Sequence, residues 1–459
     1  MRRNIDMVNG PLFSGIIRYT IPIMLTSLLQ LLFNAADLVV VGRYCGSISV
    51  GAVSATSALT NLIVTFFMGL SIGAGVTVAH GLGGQQDEAV HRTVHTALPT
   101  AVIGGAVLSV IGIRFADEFL LMMKTPENVL RLSAVYMRIY FAGMIFVMVY
   151  NFCASILRAA GDTKSPLIYL TIAGVLNVIL NVIFVLYFQM NVAGVALATT
   201  ISQGVSAVLV VIALTKRTDA CRLMLRKVRF YKEQFWKMVR IGLPAGIQGS
   251  LFSISNVMVQ SSINSFNSDA LISGNGSAAS IEGFVYVIMN SFHQTAINFV
   301  GQNTGARRFD RIKKIFALCL GYVAIFGFAA GSAVWYFGRE LLSIYITDSP
   351  EAIAYGLTRF QYVALPYFMC GLMDVSTGAL RGLGSSFTSM AISVLCICGM
   401  RVVWIYTIFQ IPQYHTPESL YTSYLVSWVL TFLVQSLAFA TIYKKITRLD
   451  KQTSAIIND

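Results

Sequence analysis

Three polar residues share one face of an otherwise apolar segment near the start of the chain. Gln30, Asn34 and Asp37 follow one another at intervals of four and three residues, which puts them on one face of an α-helix. An ionised carboxylate costs about 2.5–3.5 kcal/mol at the centre of a bilayer. Burial favours the neutral form of Asp37, whereas nearby amides or a bound cation favour its charged form. We therefore predict that Asp37 takes up and releases a proton or a cation; the alternative is a hydrogen-bonding group that joins two helices.

Further polar residues of the N-terminal half can complete this cluster. Asn177 and Asn181 lie four residues apart on one helical face, and Thr199 lies in the next apolar segment. Their oxygens can ligate a sodium ion or their donors can bond Asp37. The alternative is polar contact between helices without an ion. Tyr140 and Asn151 are weaker candidates for the same cluster.

The C-terminal half carries a second set of candidates. Glu282, Tyr286, Met289 and His293 recur at helical spacing, and Glu282 is the second candidate for ion coupling or cation binding. Asp374 is the next candidate, although Arg381 lies two turns away on the same face and can neutralise it. Tyr286, Met289 and His293, with Gln30, Asn34, Tyr140 and Asn151, are predicted to line a substrate cavity. For His293 the alternative is a satisfied interior histidine.

The composition determines which elements position these residues. The chain has 459 residues, of which 56% are hydrophobic and 12% are charged, and its mean hydropathy is +0.70. Apolar runs of about 20 residues, long enough to cross a bilayer as helices, recur along the sequence. They predict an all-α integral membrane protein with twelve spans, at 16–41, 50–79, 90–113, 132–157, 166–188, 193–215, 239–265, 271–300, 313–337, 354–380, 387–411 and 419–442.

Basic residues are concentrated in alternate loops between the predicted spans. They include Arg2 and Arg3, the segment 216–240, the segment 307–314 and the segment 444–451. This distribution predicts that both termini are cytoplasmic. The net charge of +13 is therefore better explained by membrane orientation than by nucleic-acid binding, and we expect no nucleic-acid partner.

The two halves of the sequence repeat the same landmarks in the same order. Pro22 matches Pro244, Gly83 matches Gly305, and Leu157-Arg158 matches Leu380-Arg381 at nearly the same interval. We predict two pseudo-symmetric six-helix lobes, the first at 1–215 and the second at 239–443. A basic cytoplasmic linker at 216–238 joins them, and 444–459 forms a cytoplasmic tail. Parallel repeats of this kind are typical of secondary transporters.

Other function classes lack their usual signals. The seven cysteines show no CxxC or zinc spacing, so neither a disulfide framework nor a metal site is predicted. No Walker-type sequence is present, which argues against ATP hydrolysis by this chain. No nucleophile–base pair or HExxH sequence stands out within the spans, so we predict that the protein is not an enzyme and needs no cofactor.

The landmarks resemble the multidrug and toxic compound extrusion (MATE) family over nearly the whole chain. The most specific segments are NAADLVVVGRYCG at 34–46, LRAAGDTKSP at 157–166, LNVILN at 176–181, FVGQNTGARRFDRIKK at 299–314 and GALRGLGSSF at 378–387. The resemblance implies a V-shaped pair of six-helix bundles in the cell membrane that exports cationic or amphiphilic drug-like compounds in exchange for protons or sodium ions. We expect a monomer.

The resemblance also gives roles to individual residues. Asp37 stands at the position of the family's ion-coupling Asp, and Pro22 matches the proline at which the first helix can bend. The position of Asn181 is often Asp in the family, which leaves a sodium ion at Asp37, Asn177 and Asn181 as a candidate without a firm metal assignment. The choice between proton and sodium stays open.

The same superfamily contains flippases for lipid-linked sugars, which are the alternative function. A flippase is expected to have a larger and more cationic cavity, suited to pyrophosphate. The sequence suggests few buried basic residues, Arg138 and Arg401 at most, which favours efflux.

Overall fold

The computed structural model describes residues 4–123, 125–347 and 349–458, and these form helices and short connections. Arg2 and Arg3, which contribute to the predicted charge asymmetry, lie outside this range. The helices of the first half are α1 (Leu12–Tyr44), α2 (Ser47–Gly83), α3 (Asp87–Arg114), α4 (Ala116–Met122), α5 (Glu127–Ala142), α6 (Met144–Ala159), α7 (Lys164–Val182) and α8 (Asn191–Thr215).

The second half has the same kind of architecture. Its helices are α9 (Lys232–Asn264), α10 (Asp269–Gly305), α11 (Phe309–Tyr336), α12 (Gly338–Ser343), α13 (Pro350–Arg359), α14 (Phe368–Gly382), α15 (Ser386–Ser393), α16 (Met400–Tyr406) and α17 (Pro417–Asn458). No strand is assigned anywhere in the described part of the chain.

The predicted all-α membrane architecture is confirmed. Within the described residues, nine helical segments are long and apolar enough to span a membrane, and the bent pair of α5 and α6 makes a tenth. Helices α9 and α10, with 33 and 37 residues, are long enough but more polar. These segments together coincide with the twelve predicted spans, while the apolar criterion alone gives nine or ten.

The span predicted at 132–157 is not straight. Helices α5 and α6 meet at Gly143 with a bend of 45° between them. A side chain at Gly143 would lie 2.9 Å from Thr200 of α8, so the absence of a Cβ permits this close approach. Tyr140 and Asn151 therefore stand on opposite sides of a bend.

The chain folds into two compact units whose boundaries cut through helices. The first unit contains Leu25–Gly246, and the second contains Asp6–Met24 and Ile247–Asp459. The predicted lobes were bounded at the linker instead. The difference arises because α1 and α9 are continuous helices whose first turns pack in one unit and whose later turns pack in the other.

Close backbone contacts hold the first half of α9 in the first unit. A Cβ at Gly73 of α2 would lie 2.1 Å from the Met238 carbonyl oxygen, and one at Gly69 would lie 2.2 Å from the Gly246 nitrogen. In the second unit, Thr20 of α1 hydrogen-bonds Thr295 of α10 at 2.8 Å. At Gly69 and Gly73, the absence of a side chain thus lets the backbones of α2 and α9 come into direct contact.

The linker is shorter than predicted, because α9 begins at Lys232 and not at 239. Gln234 and Met238 are both buried, and their spacing of four residues gives this basic stretch a buried helical face. The Thr93 hydroxyl donates to the Gln234 side-chain oxygen at 3.1 Å, which anchors the start of α9 to α3.

Candidate functional site

The Asp37 cluster lies in the first unit, where three helices bring Asp37, Asn177, Asn181 and Thr199 together as predicted. Asn181 Nδ2 of α7 donates to Asp37 Oδ1 at 2.5 Å. Thr199 Oγ1 of α8 lies 3.2 Å from Asp37 Oδ2. Both carboxylate oxygens of Asp37 are therefore contacted by neutral groups.

The remaining contacts close the cluster into a network. Asn177 Nδ2 donates to Thr199 Oγ1, and Asn181 Nδ2 also lies near Asn177 Oδ1, each at 3.2 Å. Asn181 is fully buried and Asn177 is 5% exposed. The Asn181 Oδ1 atom is buried without a hydrogen-bond partner in the described chain. This arrangement offers a carboxylate and several neutral oxygens, the ligands that hard cations prefer.

Local features of α7 explain how these side chains meet. A Cβ at Gly174 would lie 1.8 Å from the Phe33 ring, so glycine lets α1 approach α7 closely one turn before Asn177. A π-helical turn at Ile183–Tyr187 follows directly after α7. Such turns are often found at functional sites, and this one begins two residues after Asn181.

The predicted cavity residues of the first unit occupy different surroundings. Gln30 and Asn34 are exposed, and Tyr140 and Asn151 are half-buried. Tyr140 stacks on Tyr136 with ring centroids 6.1 Å apart, and both lie within electrostatic range of Asp37. Tyr136 was missed from the sequence, although its spacing of four residues from Tyr140 places both on one helical face.

Two further candidates of the first half, Asn151 and Pro22, lie within helices. Asn151 Nδ2 donates to the Val147 carbonyl of its own helix at 2.8 Å. Pro22 is buried within α1, which is helical on both sides of it. Pro22 belongs to the second unit, whereas Asp37 belongs to the first; its role as a hinge stays a prediction.

Glu282 occupies an environment that sequence reasoning missed. Its carboxylate accepts from Arg359 Nε at 3.0 Å and from Arg359 Nη2 at 2.7 Å, and both side chains are buried. Arg359 Nη1 donates to Asn275 Oδ1 at 2.7 Å, and the Tyr421 hydroxyl contacts the same oxygen at 3.1 Å. A bidentate ion pair of this kind neutralises the carboxylate, which corrects the expectation that Glu282 is free to bind cations.

Asp374 is buried beside a separate hydrogen-bond network. His293 Nδ1 lies 2.7 Å from the Asp374 carbonyl oxygen, and Arg381 Nη1 lies 3.2 Å from His293 Nε2. These contacts fit a neutral imidazole that donates from Nδ1 and accepts at Nε2. His293 therefore occupies the satisfied interior position that was its alternative.

Arg381 does not form a direct ion pair with Asp374 in the described chain. Arg381 Nη2 instead donates to Gln248 Oε1 at 2.8 Å. The Asp374 Oδ2 atom is buried without a hydrogen-bond partner among the described residues, and the Tyr286 hydroxyl lies within reach of the carboxylate. Asp374 thus has one carboxylate oxygen without a partner in the part of the chain that the structure describes, whereas both oxygens of Glu282 accept from Arg359.

Two predicted cavity residues of α10 differ in exposure. Tyr286 is 40% exposed, whereas Met289 is fully buried. Met289 packs in the core beside Gly327 and Gly371, where an added Cβ would lie 2.5–2.7 Å from its terminal atoms. Met289 fills space between helices, which corrects its assignment to a cavity.

The buried basic residues also differ from those expected. Arg138 is exposed and pairs with Asp117 at 2.6 Å. Arg359, Arg381 and Arg401 are 4–7% exposed in the second unit. The sequence indicated Arg401 but not the other two, because periodicity does not reveal which charged residues have partners.

The described residues contain no group of three or more His, Cys, Asp or Glu side chains that could hold a metal ion. A cluster of one carboxylate and amide or hydroxyl oxygens, such as that around Asp37, lies outside this definition. Sodium at Asp37, Asn177 and Asn181 therefore stays a prediction.

Family comparison identifies the architecture. The MatE family profile matches residues 22–183 and 244–407, most of both halves. The chain belongs to the MatE family. The two matches to this MatE profile begin at Pro22 and Pro244, the same prolines that mark the internal repeat.

Relatives and solved structures agree with this MatE assignment. The chain is 28% identical to the probable multidrug resistance protein YoeA of Bacillus subtilis (strain 168) over 84% of each chain. It is 22% identical to the multidrug export protein MepA of Staphylococcus aureus, covering 83% of this chain and 85% of that protein. A multidrug resistance MATE family transporter of the MOP superfamily matches 98% of the chain and 99% of its own length with a TM-score of 0.91 and 18% identity, which confirms the fold.

Proposed function

We propose that this MatE protein is a secondary active multidrug efflux transporter. It exports cationic or amphiphilic organic compounds in exchange for protons or sodium ions. The names of its relatives, a probable multidrug resistance protein and a multidrug export protein, support efflux. The family's membrane architecture supports transport and not hydrolysis.

The proposal of ion exchange rests on the environment of Asp37. Its described hydrogen-bond partners are the neutral side chains of Asn181 and Thr199, whereas Glu282 is held by a guanidinium group. A carboxylate with neutral partners has a negative charge that a passing cation can satisfy. An ionised carboxylate within a membrane is energetically unfavourable. We therefore infer that Asp37 has a function there, which is to bind one cation at a time, either the coupling ion or the exported compound.

The coupling ion and the exported compound compete for Asp37, and this competition couples their movements. Loading of the coupling ion neutralises the carboxylate and lowers its affinity for a cationic compound, and the reverse also holds. Moving one positive charge against about 100 mV requires about 2.3 kcal/mol, and an inward proton releases the same amount. One-for-one exchange is then driven by the pH difference, at about 1.4 kcal/mol per pH unit.

The oxygen atoms around Asp37 support either ion. The unpartnered Asn181 Oδ1 and the Thr199 hydroxyl provide neutral ligands for sodium. A proton needs only the carboxylate. Imposing each gradient separately distinguishes the two ions.

The test uses purified full-length protein in proteoliposomes loaded with ethidium. A pH gradient or a sodium gradient is imposed alone, and the efflux rate is measured for wild type, Asp37→Asn and Glu340→Gln. Asp37→Asn is expected to bind ethidium more weakly than wild type does and to show no gradient-driven efflux, while the exposed Glu340→Gln variant behaves as wild type. Undiminished efflux in Asp37→Asn would overturn the assignment.

Lipid-linked sugar flipping is the second candidate. The sequence suggested few buried basic residues, but Arg359, Arg381 and Arg401 are all buried. Their burial supports the flippase function, because arginine is suited to pyrophosphate recognition. A flipping assay with a lipid-linked oligosaccharide in the same proteoliposomes decides between the two functions. Flipping without ethidium exchange would replace efflux as the proposed function.

The location of the protein is part of the same proposal. We propose a location in the cell membrane, with both termini in the cytoplasm as the distribution of basic residues predicts, and a monomer as the transporting unit. Protease accessibility of an added C-terminal tag in intact and inverted vesicles tests the orientation. Cleavage in intact cells would contradict it.

A further inference from the structure

Arg401 is a buried cation with neutral partners. Its side chain is 4% exposed. Arg401 Nη1 donates to Asn256 Oδ1 at 3.0 Å, and Nε lies 3.4 Å from Ser427 Oγ. Among the described residues, the acidic side chains that form ion pairs do so with other basic residues and not with Arg401. A buried charge without a counter-ion is costly, so the site is suited to an anionic group from elsewhere.

The other buried arginines of the second unit differ in this respect. Arg359 forms an ion pair with Glu282 at 2.7 Å. Arg381 lies within electrostatic range of Asp374. An acidic residue thus lies near Arg359 and near Arg381, whereas no ion pair involves Arg401 among the described residues. All three arginines are buried in the same unit.

Aromatic side chains form a continuous row beside Arg401. The guanidinium carbon lies 4.1 Å from the Tyr424 ring centroid, and Tyr424 contacts Trp428 at 5.7 Å. Trp428 meets Tyr367 at 5.2 Å, and Tyr367 meets Tyr286 at 6.5 Å. The row runs from the buried Arg401 to the exposed Tyr286. Tyr424 and Trp428 belong to the buried core of this unit, whereas the half-buried Tyr367 and the exposed Tyr286 can offer ring surface to an aromatic or apolar ligand.

An exposed residue contacts the buried guanidinium group. Asn256 is exposed on α9, and its side-chain oxygen is the acceptor for Arg401 Nη1. An anion that replaces this amide oxygen exchanges a neutral hydrogen bond for a charge-assisted one, which is shorter and stronger. A π-helical turn at Val394–Gly399 directly precedes α16 and Arg401, as expected near a functional site.

We propose that Arg401 binds the carboxylate or phosphate of an amphiphilic organic anion, whose apolar part packs on the half-buried Tyr367 and the exposed Tyr286. The planar guanidinium group suits such an oxyanion. This site takes a ligand of opposite charge to the one proposed for Asp37. Its occupancy is an equilibrium that needs no ion gradient, so the two proposals fail or succeed separately.

The test compares two probes that differ only in charge. Naphthalene-2-carboxylate and naphthalene-2-carboxamide are titrated into full-length protein in a neutral detergent, with calorimetry and tryptophan fluorescence as readouts. Wild type is expected to bind the carboxylate roughly tenfold more tightly. Arg401→Gln is expected to lose this preference, and Arg339→Gln, which removes an exposed arginine of the same unit, is expected to keep it.

A second variant separates binding from folding. Arg401→Lys keeps the positive charge but loses the planar fork, so we expect a several-fold weaker carboxylate affinity with unchanged carboxamide affinity. Circular dichroism and the thermal midpoint of each variant establish that it is folded. If Arg401→Gln does not fold, Arg401→Lys still tests the proposal, and an unchanged carboxylate affinity in that variant overturns it.

Two further results overturn the proposal: equal wild-type affinities for the two probes, or an unchanged carboxylate preference in folded Arg401→Gln. Nanodiscs of phosphatidylcholine with and without phosphatidylglycerol identify the source of the anion. Weaker naphthalene-2-carboxylate binding in the presence of phosphatidylglycerol indicates a lipid headgroup. Unchanged binding indicates an amphiphilic anion from solution, and either result supports an anion site.

Discussion

Asp37 and Glu282 are both acidic residues inside membrane-spanning helices, but their partners differ. Asp37 contacts the amide of Asn181 and the hydroxyl of Thr199. Glu282 is held by two hydrogen bonds from Arg359. The first carboxylate is solvated by neutral dipoles, whereas the second is neutralised by a permanent charge.

This difference separates a carboxylate that can exchange ions from one that joins helices. An ion pair in low dielectric holds both partners strongly, and removing one partner leaves an uncompensated charge. Neutral donors stabilise a carboxylate less and leave its charge available to a mobile cation. A transmembrane acid is therefore a candidate for ion coupling only once its partners are known.

Breaking the Glu282 ion pair is expected to have the largest effect on stability. Arg359→Gln leaves a buried carboxylate without its cation, which should lower the free energy of unfolding by about 3–5 kcal/mol. Thermal unfolding of the purified protein in detergent measures the change.

The double variant Glu282→Gln/Arg359→Gln removes both charges and should recover much of this stability. Arg339→Gln, at an exposed position, is the control and should unfold as wild type does. If Arg359→Gln is as stable as this control, the contrast between Asp37 and Glu282 does not hold.

Removing the amide beside Asp37 is expected to affect ion binding more than folding. Asn181→Leu removes the side-chain oxygen that we propose as a neutral sodium ligand, and its loss should weaken ion binding by about 1.5–3 kcal/mol, the size of a contact with a charged group. If sodium is the coupling ion, the sodium concentration for half-maximal efflux should rise roughly tenfold to hundredfold. Sodium-driven ethidium efflux measured over a range of sodium concentrations provides the value.

Asn151→Leu is the matched control for this prediction. Asn151 bonds the Val147 carbonyl of its own helix, so its loss should leave the sodium dependence unchanged. An equal shift in both variants would mean that the effect is general and not due to contact with Asp37.

Removing the hydroxyl of Thr199 should give the smallest effect. Thr199 Oγ1 lies 3.2 Å from Asp37 and 3.0 Å from the Val195 carbonyl, and its single proton serves one acceptor at a time. Thr199→Val should therefore cost about 1 kcal/mol of ion binding, seen as a several-fold change in the same efflux assay.

Thr171→Val controls for the loss of a helix back-bond. Thr171 Oγ1 donates to the Leu167 carbonyl at 2.9 Å, the same local contact that Thr199 makes within α8. Ion dependence should change only in Thr199→Val. A matching change in Thr171→Val would remove Thr199 from the candidate site.

Helical spacing predicted the faces of α1 and α7 that carry Asp37, Asn177 and Asn181, and the family resemblance suggested that these faces meet. Each member of the Asp37 cluster lies in an apolar run whose helical structure the bilayer requires, and the polar residues of each run share a face. The all-α fold and the internal repeat were readable for the same reason, since hydropathy is a property of sequence segments.

Partners distant in sequence could not be read in this way. Glu282 and Arg359 lie on different helices, and spacing gives the face of a residue but not what packs against that face. Met289 likewise shares a face with Tyr286, yet it fills the core. The boundaries of the two units lie within the continuous helices α1 and α9, and a hydropathy pattern that runs through a boundary does not reveal it.

The π-helical turns are places where a membrane-spanning helix can gain or lose a residue. One follows Asn181 at Ile183–Tyr187, one follows Arg359 at Phe360–Ala364, and one precedes Arg401 at Val394–Gly399. A wider turn accommodates an additional residue, and deleting a residue rotates the downstream segment by about 100° while shortening it by about 1.5 Å. Insertions and deletions at these three places are thus a route to present different side chains to a site without changing how the helix crosses the bilayer.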